Sequence, residues 1–422
     1  MGVFFYNIFL FLFRAGIHLL SLFHGKAKKW VTGRKDIFQR LRAAIPEGTK
    51  LVWVHCASLG EFEQGRPVIE RIRSEYSSHR ILLTFFSPSG YEVRKNYEGA
   101  DWVFYLPMDG AGNARRFLEI TQPSLVIFVK YEFWYYYLKK IMYRNIPVLL
   151  ISALFRKDMS FFKWYGGLQR KILSRFDHLF VQNESSKKLV DELGLGDSCT
   201  ISGDTRFDRV IEIATQFHPI AHIEQFVNGQ PTLVAGSTWP DDEQVLQKML
   251  SGTDHPQLKL ILAPHEITAK HLDEIKQRFP GCLFYSQLEA RDPATARVLV
   301  IDNFGMLSRI YKYGTLTYVG GGLRSSGIHN VLEAAVYDKI VLFGPHYEKY
   351  SEAVGLVQSG GALPFHDDKL EGRLLTELVD ALLRDKQEYA YRSKASGDFV
   401  RSNHGATARI MRYIQEKRLL TR

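Results

Sequence analysis

A carboxylate stands where a buried strand turns into a helix, in the segment VWVHCASLGEFEQGRPVIERI. Glu61 follows the strand-like run that ends at His55. Backbone N–H groups converge at such a turn, and a carboxylate that faces a cleft there can act as a general base. The alternative is a carboxylate that only complements the helix dipole, which contributes roughly 0.3–1 kcal/mol. His55 and Cys56 cannot form a reactive pair, because adjacent strand residues point to opposite faces.

A second group of polar side chains follows the run Leu125–Val129, in SLVIFVKYEFWYYYLKK. Lys130 and Glu132 stand at the end of this predicted strand, and aromatic residues from Phe133 to Tyr137 come directly after them. An aromatic patch at the mouth of a sheet can hold an apolar or lipid-like ligand. The alternative is the ordinary packing of a helix against the sheet.

A third candidate is the cation in the segment CTISGDTRFDRV. Arg206 stands just past a predicted strand, where a guanidinium suits a phosphate or a carboxylate. A salt bridge to Asp204 within the same turn is the alternative interpretation.

The second half of the chain carries a glycine-rich turn and a candidate ribose ligand, in YVGGGLRSSGIHNVLEAA. Glycines 320–322 permit close backbone approach to an anion. No G-x-G-x-x-G or G-x-x-x-x-G-K-S/T motif is present, so dinucleotide and P-loop sites are not indicated. Asn330 and Glu333 have the spacing of a helix cap, although a Glu in the first turn can also hold a ribose diol.

Composition restricts the class of protein. A chain of 422 residues exceeds what one hydrophobic core usually fills, so two domains are expected. An apolar fraction of 45% and a charged fraction of 24% exclude a disordered or collagen-like protein. The net charge of +10 favours an anionic partner. The three cysteines have no disulfide or zinc spacing, and the histidines have no paired spacing, so no metal or other cofactor is expected.

The first residues predict a membrane anchor. The run Val3–Phe23 is apolar except for Asn7, Arg14, His18 and Ser21, and its length is near the ~20 residues that a spanning helix needs. A basic stretch follows, which predicts that the body of the protein faces the cytoplasm. We therefore expect a retained anchor, either spanning the bilayer or lying in its phospholipid surface, although an ordinary buried first helix is the alternative.

The remaining sequence alternates short apolar runs with helical stretches, which indicates βαβ units and buried parallel sheets. Two such series predict two doubly wound α/β domains, with ligands beyond the carboxyl ends of the strands. The predicted segments are an anchor with its basic flank (1–35), a first domain (36–212), a linker (213–230), a second domain (231–390) and C-terminal helices packing back on the first domain (391–422).

Taken together, the motifs HCASLGEFEQGRP, KYEFW, SGDTRFD, APHE, DNFG and GIHNVLEAA…GPH occur in an order that resembles the 3-deoxy-D-manno-octulosonic acid (Kdo) transferases of lipopolysaccharide biosynthesis. The resemblance covers essentially the whole chain. It implies a GT-B fold, two Rossmann-like domains with a cleft between them, in which the first domain binds the acceptor and the second the donor. It also implies a membrane-associated, metal-independent inverting enzyme that transfers Kdo from CMP-Kdo to a lipid A precursor (lipid IVA).

The resemblance also implies site residues. Glu61 corresponds to the general base, and Glu132 and Arg206 correspond to residues that position substrate or stabilise the transition state. Candidates on the acceptor side are Ser58, Gly60 and Lys130. The expected CMP contacts are Pro264, His265, Phe304, Gly305, Met306, Asn330, Val331, Leu332 and Glu333, with Glu333 as the ribose ligand.

Three other functions remain open at this point. Another GT-B nucleotide-sugar transferase, or a UDP-sugar epimerase, would keep the ribose carboxylate but would need no anchor. A membrane-anchored sugar-nucleotide-binding protein without catalysis would make Glu61 dispensable. A nucleic-acid partner is not expected, because the charge beyond the N-terminal flank is spread and mixed rather than gathered in a basic stripe.

Overall fold

The computed structural model describes residues 2–290, 292–367 and 369–421. The chain forms two compact units. The first holds the residues up to Asp208 together with those from His404 onward, and the second is Arg209–Asn403. Each unit is built on a seven-stranded sheet.

The first unit begins with helices and continues as alternating strands and helices. Its elements are α1 (Gly2–Leu20), α2 (Gly25–Thr32), α3 (Ile37–Ala44), β1 (Leu51–Cys56), α4 (Leu59–Glu75), β2 (Arg80–Phe85), α5 (Pro88–Arg94), β3 (Trp102–Tyr105), α6 (Ala111–Thr121), β4 (Leu125–Val129), α7 (Tyr135–Tyr143), β5 (Val148–Ala153), α8 (Gly167–Leu173), β6 (His178–Val181), α9 (Glu184–Glu192) and β7 (Cys199–Ile201). All strand pairs are parallel, in the order β3-β2-β1-β4-β5-β6-β7. The chain therefore changes direction across the sheet between β1 and β4, where ligands bind in doubly wound folds.

Apolar strand residues fill both faces of this sheet. Along β1, Trp53 packs with the core on one face, while Val54 and Cys56 pack with the core on the other. Helix α4 approaches the sheet closely at Gly65, where a Cβ atom would lie 3.0 Å from Val129 and 3.2 Å from the Cys56 sulfur. His55 contacts the ring of Trp53, so His55 and Cys56 do point to opposite faces.

Helix α10 (Thr205–Thr215) leads into the second unit. The elements that follow are α11 (Ile223–Val227), β8 (Thr232–Thr238), α12 (Pro240–Gly252), β9 (Lys259–Pro264), α13 (Ala269–Arg278), β10 (Leu283–Phe284), β11 (Val298–Val300), α14 (Leu307–Ile310), β12 (Leu316–Val319), α15 (Leu332–Ala335), β13 (Ile340–Phe343), α16 (Ser351–Gln358), β14 (Ala362–Pro364), α17 (Arg373–Arg384) and α18 (Lys386–Ser402). This sheet is also parallel, in the order β10-β11-β9-β8-β12-β13-β14. Its direction changes between β8 and β12.

The structure assigns the residues near the expected domain boundaries to one unit or the other. Residues 213–230, expected as a linker, include α11, whose Ile223 and Phe226 are buried. Helix α18 belongs to the second unit, where the Ser396 hydroxyl donates to the Lys339 carbonyl at 2.7 Å. The return to the first unit therefore begins at His404 rather than at residue 391. The final helix, α19 (Ala406–Glu416), packs against α4.

Helix α1 is the one helix in the described parts of the chain whose length and composition would allow it to cross a membrane. One side of α1 packs on the rest of the first unit. The Tyr6 hydroxyl donates to the buried carboxylate of Asp109 at 2.7 Å, and Leu10 is buried. Its other side exposes large apolar residues.

Candidate functional site

Glu61 lies at the carboxyl edge of the first sheet, in the first turn of α4. Ser58 precedes this helix, and its hydroxyl donates to the Glu61 carboxylate instead of capping a backbone N–H group. A Cβ atom on the neighbouring Gly60 would have no atom closer than the Ser58 hydroxyl at 3.9 Å, so the space beside this turn is open. The carboxylate is therefore half-buried, oriented by a hydroxyl and adjacent to free space, as a general base requires.

Glu132 is buried and is held by two donors. The Nε2 atom of His55 lies 2.7 Å from its carboxylate, and the indole N–H of Trp134 also donates to it. The Nδ1 atom of His55 lies 2.9 Å from the Thr84 hydroxyl, which itself accepts from the Trp53 indole at 2.7 Å. The carboxylate of Glu132 can only accept, so Nε2 of His55 donates to it, and Nδ1 of His55 also lies 3.0 Å from the Thr84 carbonyl oxygen.

The two carboxylates flank the end of β1. Burial is the main reason why the pKa of Cys56 is raised well above its ordinary value, and the charges of Glu61 and Glu132 add to the shift. Burial also raises the pKa of Tyr131, and the charge of Glu61 contributes to that shift. Glu61 follows β1 and Glu132 follows β4, which are neighbouring parallel strands, so both residues lie at the carboxyl edge of the sheet where the strand order changes direction.

Arg206 and Asp204 form an ion pair just after β7. Arg206 binds Asp204 through two hydrogen bonds of 2.7 and 3.0 Å, and Gln64 donates to the same carboxylate at 3.1 Å. Burial acts to raise the pKa of Asp204, but Arg206, and then Lys130, hold it below its ordinary value. The salt bridge within the turn is thus present, and it fixes the guanidinium of Arg206 at the carboxyl edge of the sheet.

The aromatic residues after Glu132 are used for packing. Phe133 contacts Phe161 with ring centroids 4.8 Å apart, and Trp134 contacts Phe86 at 4.9 Å. Tyr137 is fully buried. This is the ordinary helix-to-sheet packing that the sequence left as the alternative.

In the second unit, the glycine-rich turn after β12 touches the backbone of the neighbouring strands. A Cβ atom on Gly320 would lie 2.4 Å from the Ser237 carbonyl oxygen, and one on Gly322 would lie 2.7 Å from the Gly344 nitrogen. The Gly321 N–H donates to the buried carboxylate of Asp242 at 3.0 Å. These glycines therefore allow segments of the protein itself to approach one another.

Three rings from different segments stack at this edge. His265 follows β9, Trp239 follows β8, and His329 comes after the glycine turn. The centroid of the His265 ring lies 4.6 Å from that of Trp239 and 4.4 Å from that of His329. Burial, and then His265, lowers the pKa of His329 to about 4, and burial also lowers the pKa of His265. Both imidazoles are therefore neutral at pH 7 and can offer hydrogen bonds, but not charge.

Asn330 and Glu333 are hydrogen-bonded to each other. The Asn330 oxygen accepts from the Leu332 N–H at 3.2 Å, and its nitrogen donates to Glu333 at 3.1 Å. The N-cap of α15 is Val331, which makes no side-chain cap hydrogen bond, so the capping box suggested by the Asn330–Glu333 spacing is not formed. Burial raises the pKa of Tyr337 to about 12, and the negative charge of Glu333 contributes to that shift.

The other predicted CMP-binding residues divide into exposed and buried positions. Phe304 is 78% exposed and precedes Gly305, which has a φ of +89°. Four of the other predicted residues are buried: Pro264, Met306, Val331 and Leu332. All the predicted positions lie at the end of β9 or follow β9, β11 or β12, strands in the contiguous order β11-β9-β8-β12, so they share one edge of the sheet.

Potential metal ligands are not clustered among the residues that the structure describes. Within residues 2–290, 292–367 and 369–421, no three or more His, Cys, Asp or Glu side chains form a group that could hold a metal ion.

Comparison with known proteins identifies the family. Residues 34–209 match the family described as 3-deoxy-D-manno-octulosonic-acid transferase (kdotransferase). The 3-deoxy-D-manno-octulosonic acid transferase of Aquifex aeolicus is 30% identical over 352 residues, which cover 82% of this chain and 89% of the relative. This chain belongs to the Kdo transferase family. Another member, from Haemophilus influenzae, is 25% identical over 94% of this chain and 93% of its own.

Solved structures show the same fold as this Kdo transferase family member. The UDP-GlcNAc 2-epimerase of Neisseria meningitidis has a TM-score of 0.60 at 14% identity, covering 87% of this chain and 100% of that chain. MurG of Acinetobacter baumannii has a TM-score of 0.54 at 12% identity, covering 87% of this chain and 99% of that chain. The predicted GT-B fold with two doubly wound domains is confirmed, and the protein is a glycosyltransferase of the Kdo transferase family.

Proposed function

We propose that the protein transfers Kdo from CMP-Kdo to lipid IVA, the lipid A precursor, in lipopolysaccharide core biosynthesis. The observation that carries this proposal is the similarity to a Kdo transferase over 89% of that relative's length. The location of Glu61 and Glu132 at the switch point of the first sheet supports it, because ligands of doubly wound sheets bind at that edge.

Glu61 is the proposed general base. Its carboxylate takes the proton from a hydroxyl of the acceptor sugar while that oxygen attacks the anomeric carbon of Kdo. The bond from that carbon to the phosphate oxygen breaks, and CMP leaves with the electron pair. A single displacement of this kind inverts the anomeric configuration. Ser58 orients the base through its hydrogen bond to Glu61.

Glu132, Arg206 and Lys130 are proposed to position the substrates and to stabilise charge. Kdo carries a carboxylate and the donor carries a phosphate, and fixed cations stabilise such groups as the transition state forms. The salt bridge to Asp204 limits the freedom of the Arg206 guanidinium, so little further ordering is needed when substrate binds. Glu132 acts through the buried network that it forms with His55.

The second unit is proposed to bind CMP. Glu333 accepts hydrogen bonds from the ribose diol and Asn330 holds its carboxylate in place. The neutral ring of His265 donates to an oxygen of the nucleotide, and Phe304 and Gly305 approach it from the segment after β11. Pro264, Met306, Val331 and Leu332 contribute backbone groups or shape.

The Glu333→Ala variant is expected to weaken CMP binding by roughly 1–3 kcal/mol, because the ribose hydroxyls lose their acceptor. Isothermal titration of the purified protein with CMP measures this change. Glu274→Ala, which removes a half-exposed carboxylate on α13, is the matched control and should bind CMP as the wild type does. An unchanged affinity in the Glu333 variant would exclude the ribose assignment.

The reaction is proposed to need no metal ion. We therefore expect the rate of transfer to be the same after exhaustive dialysis against EDTA, and added Mg²⁺ to change it by less than about two-fold, since fixed protein groups stabilise the leaving phosphate. The measurement is the initial rate of Kdo transfer. CMP-Kdo is prepared enzymatically before the assay, and the enzyme used to prepare it is removed. A rate that is lost with EDTA and restored by a divalent ion would contradict this part of the proposal.

The function is tested by incubating the purified protein in detergent with CMP-Kdo and a tetraacyl lipid A precursor, followed by mass spectrometry. A product heavier by one or more Kdo groups supports the proposal. A folded protein that binds CMP and gives no product would mean that the donor or acceptor differs, as for another nucleotide-sugar transferase or a binding protein without catalysis.

We also propose that the protein acts at the cytoplasmic face of the inner membrane. The support is the apolar helix α1 followed by a basic stretch, a charge pattern that retains the following chain in the cytoplasm. Fractionation of cells into inner-membrane, outer-membrane and soluble fractions tests this location.

A further inference from the structure

A hydrogen-bonded pair of side chains is buried in the second unit, next to the segment that follows β9. Glu243, in the first turn of α12, is 1% exposed, and His271, in the first turn of α13, is 8% exposed. The Nε2 atom of His271 lies 3.0 and 3.1 Å from the two carboxylate oxygens of Glu243. Neither residue is among the predicted site residues, and no step of the proposed reaction uses them.

His271 binds the backbone of residues 264–268, which connect β9 to α13 and are called the donor segment here. Its Nδ1 atom lies 2.9 Å from the carbonyl oxygen of Glu266. Its backbone N–H donates to the Thr268 hydroxyl at 3.2 Å, so Thr268 is the N-cap of α13. The second half of the donor segment is therefore fixed to the beginning of α13.

Glu243 connects the same network to the end of β8. The Thr238 hydroxyl donates to its carboxylate at 3.2 Å. The carbonyl oxygen of Thr238 in turn accepts from the backbone N–H of His265 at 2.9 Å. The donor segment is thus held at two successive residues, His265 and Glu266, and the buried pair joins the two attachments.

The hydrogen bonds of His271 show that the pair holds a proton of its own. A carbonyl oxygen can only accept, so Nδ1 donates to Glu266. A bare Nε2 and an ionised carboxylate would both be acceptors, so a proton lies between them, on the ring or on Glu243. Burial raises the pKa of Glu243, although the charges of His271 and Arg278 act in the opposite direction. An amide N–H at position 243 can therefore take the place of the shared proton.

The position of the His265 ring depends on this attachment. Its centroid lies 4.6 Å from that of Trp239 and 4.4 Å from that of His329. Within the part of the chain that the structure describes, neither ring nitrogen of His265 has a hydrogen-bond partner. Stacking and the backbone of the donor segment are therefore what orient this ring.

We propose that Glu243 and His271 are positioning residues of the donor site: the pair fixes the backbone of the donor segment and so holds the His265 ring where it meets the nucleotide. Both side chains are buried, so they act through the segment and not by touching the substrate. A segment that is already ordered loses less conformational entropy when its ligand binds. The inference rests on the proposed function, because it takes His265 as a contact of CMP.

The test compares two variants that differ only at position 271. Glu243→Gln keeps the hydrogen bonds of the pair, because its amide N–H donates to Nε2 and its oxygen accepts from Thr238. Glu243→Gln, His271→Leu removes the bond to the Glu266 carbonyl and leaves no buried charge, so it should fold. His271→Phe in the same background repeats this loss with a larger side chain. Ile275→Val, which truncates a buried side chain of α13 outside the network, controls for a general loss of stability.

The first readouts are a calorimetric titration with CMP and the kinetics of Kdo transfer. The double variant should bind CMP about five-fold more weakly, the factor that corresponds to one hydrogen bond of ordinary strength. An attachment lost equally from the bound donor and the transition state raises KM and leaves kcat unchanged, so kcat should stay within about two-fold of the wild type. Glu243→Gln and Ile275→Val should bind CMP as the wild type does.

The second readout is an NMR titration of His265 in the protein without ligand. Burial lowers the pKa of this ring, while the charge of Glu266 acts in the opposite direction. Release of the donor segment exposes the ring, so the pKa of His265 should rise toward its ordinary value in the double variant and stay unchanged in Glu243→Gln. A pair that only stabilises the fold would not change this pKa.

Each other outcome overturns the proposal for a different reason. A folded double variant with the wild-type CMP affinity, or with the wild-type pKa of His265, would show that the pair does not position the donor segment. An equal loss of affinity in Ile275→Val would mean general destabilisation, and an equal loss in Glu243→Gln would mean that the charge is needed and not the hydrogen bond. Failure of the proposed function is distinguishable, because the wild type itself would then not bind CMP, while the His265 titration would still show whether the pair orders the segment.

Discussion

Replacing Glu61 with glutamine is expected to slow Kdo transfer by about 10²–10⁴-fold, the range for loss of a general base. Glutamine preserves the shape of the side chain and can still accept a hydrogen bond from Ser58, but it cannot take a proton from the acceptor hydroxyl. The affinity for CMP should be unchanged, because the proposed CMP ligands all belong to the second unit. Single-turnover transfer at saturating acceptor, together with a calorimetric CMP titration, measures both quantities.

Glu63→Gln is the matched control for this variant. Glu63 lies in the same helix, two residues further on, and its carboxylate pairs with Arg94 at 2.9 Å. Its replacement should leave the rate within about two-fold of the wild type, since surface ion pairs of this kind contribute little. A Glu61→Gln variant that still transfers Kdo at the wild-type rate would contradict the base assignment. Loss of CMP binding in that variant would indicate a folding role.

Removal of the Glu132 side chain is expected to damage both stability and activity. Glu132→Ala leaves the buried His55 and the indole of Trp134 without their shared acceptor. Breaking a buried pair in this way typically lowers the free energy of unfolding by about 3–5 kcal/mol. Denaturant titration measures the loss, and Glu119→Ala, which removes a half-exposed carboxylate on α6, is expected to cost less than about 1 kcal/mol.

Glu132→Gln separates the two roles of this residue. Its amide oxygen can accept from one of the two donors, so more than half of the lost stability should return. We expect transfer to stay at least about ten-fold below that of the wild type, because the negative charge near the substrates is gone. A stable Glu132→Gln variant with the wild-type rate would show that Glu132 is purely structural, and would contradict its proposed part in the reaction.

The sequence determined the fold class and most of the sheet. Parallel strands buried on both faces appear as continuous apolar runs, and the predicted strand Leu125–Val129 agrees with β4 at both ends. Strand β14, which is only Ala362–Pro364, was not predicted. It is short, ends in proline and pairs only with β13 at the edge of the sheet, so it has almost no apolar pattern to detect.

The sequence also located the individual chemical groups at strand ends. Glu61 was predicted at a strand-to-helix turn, and it lies in the first turn of α4. The Asp204–Arg206 salt bridge, which was the alternative interpretation of Arg206, is present, because both residues belong to the same turn. Local features of this kind depend on residues a few positions apart, whose geometry the backbone conformation fixes directly.

Only the tertiary structure decided which distant groups meet. His55 and Glu132 are 77 residues apart and are joined because β1 and β4 are neighbours in the sheet. The stack of Trp239, His265 and His329 likewise combines segments that follow β8, β9 and β12. Strand order results from the packing of the whole sheet, which no local pattern contains. The chain therefore specifies its reactive groups one at a time, and the sheet order assembles them into a site.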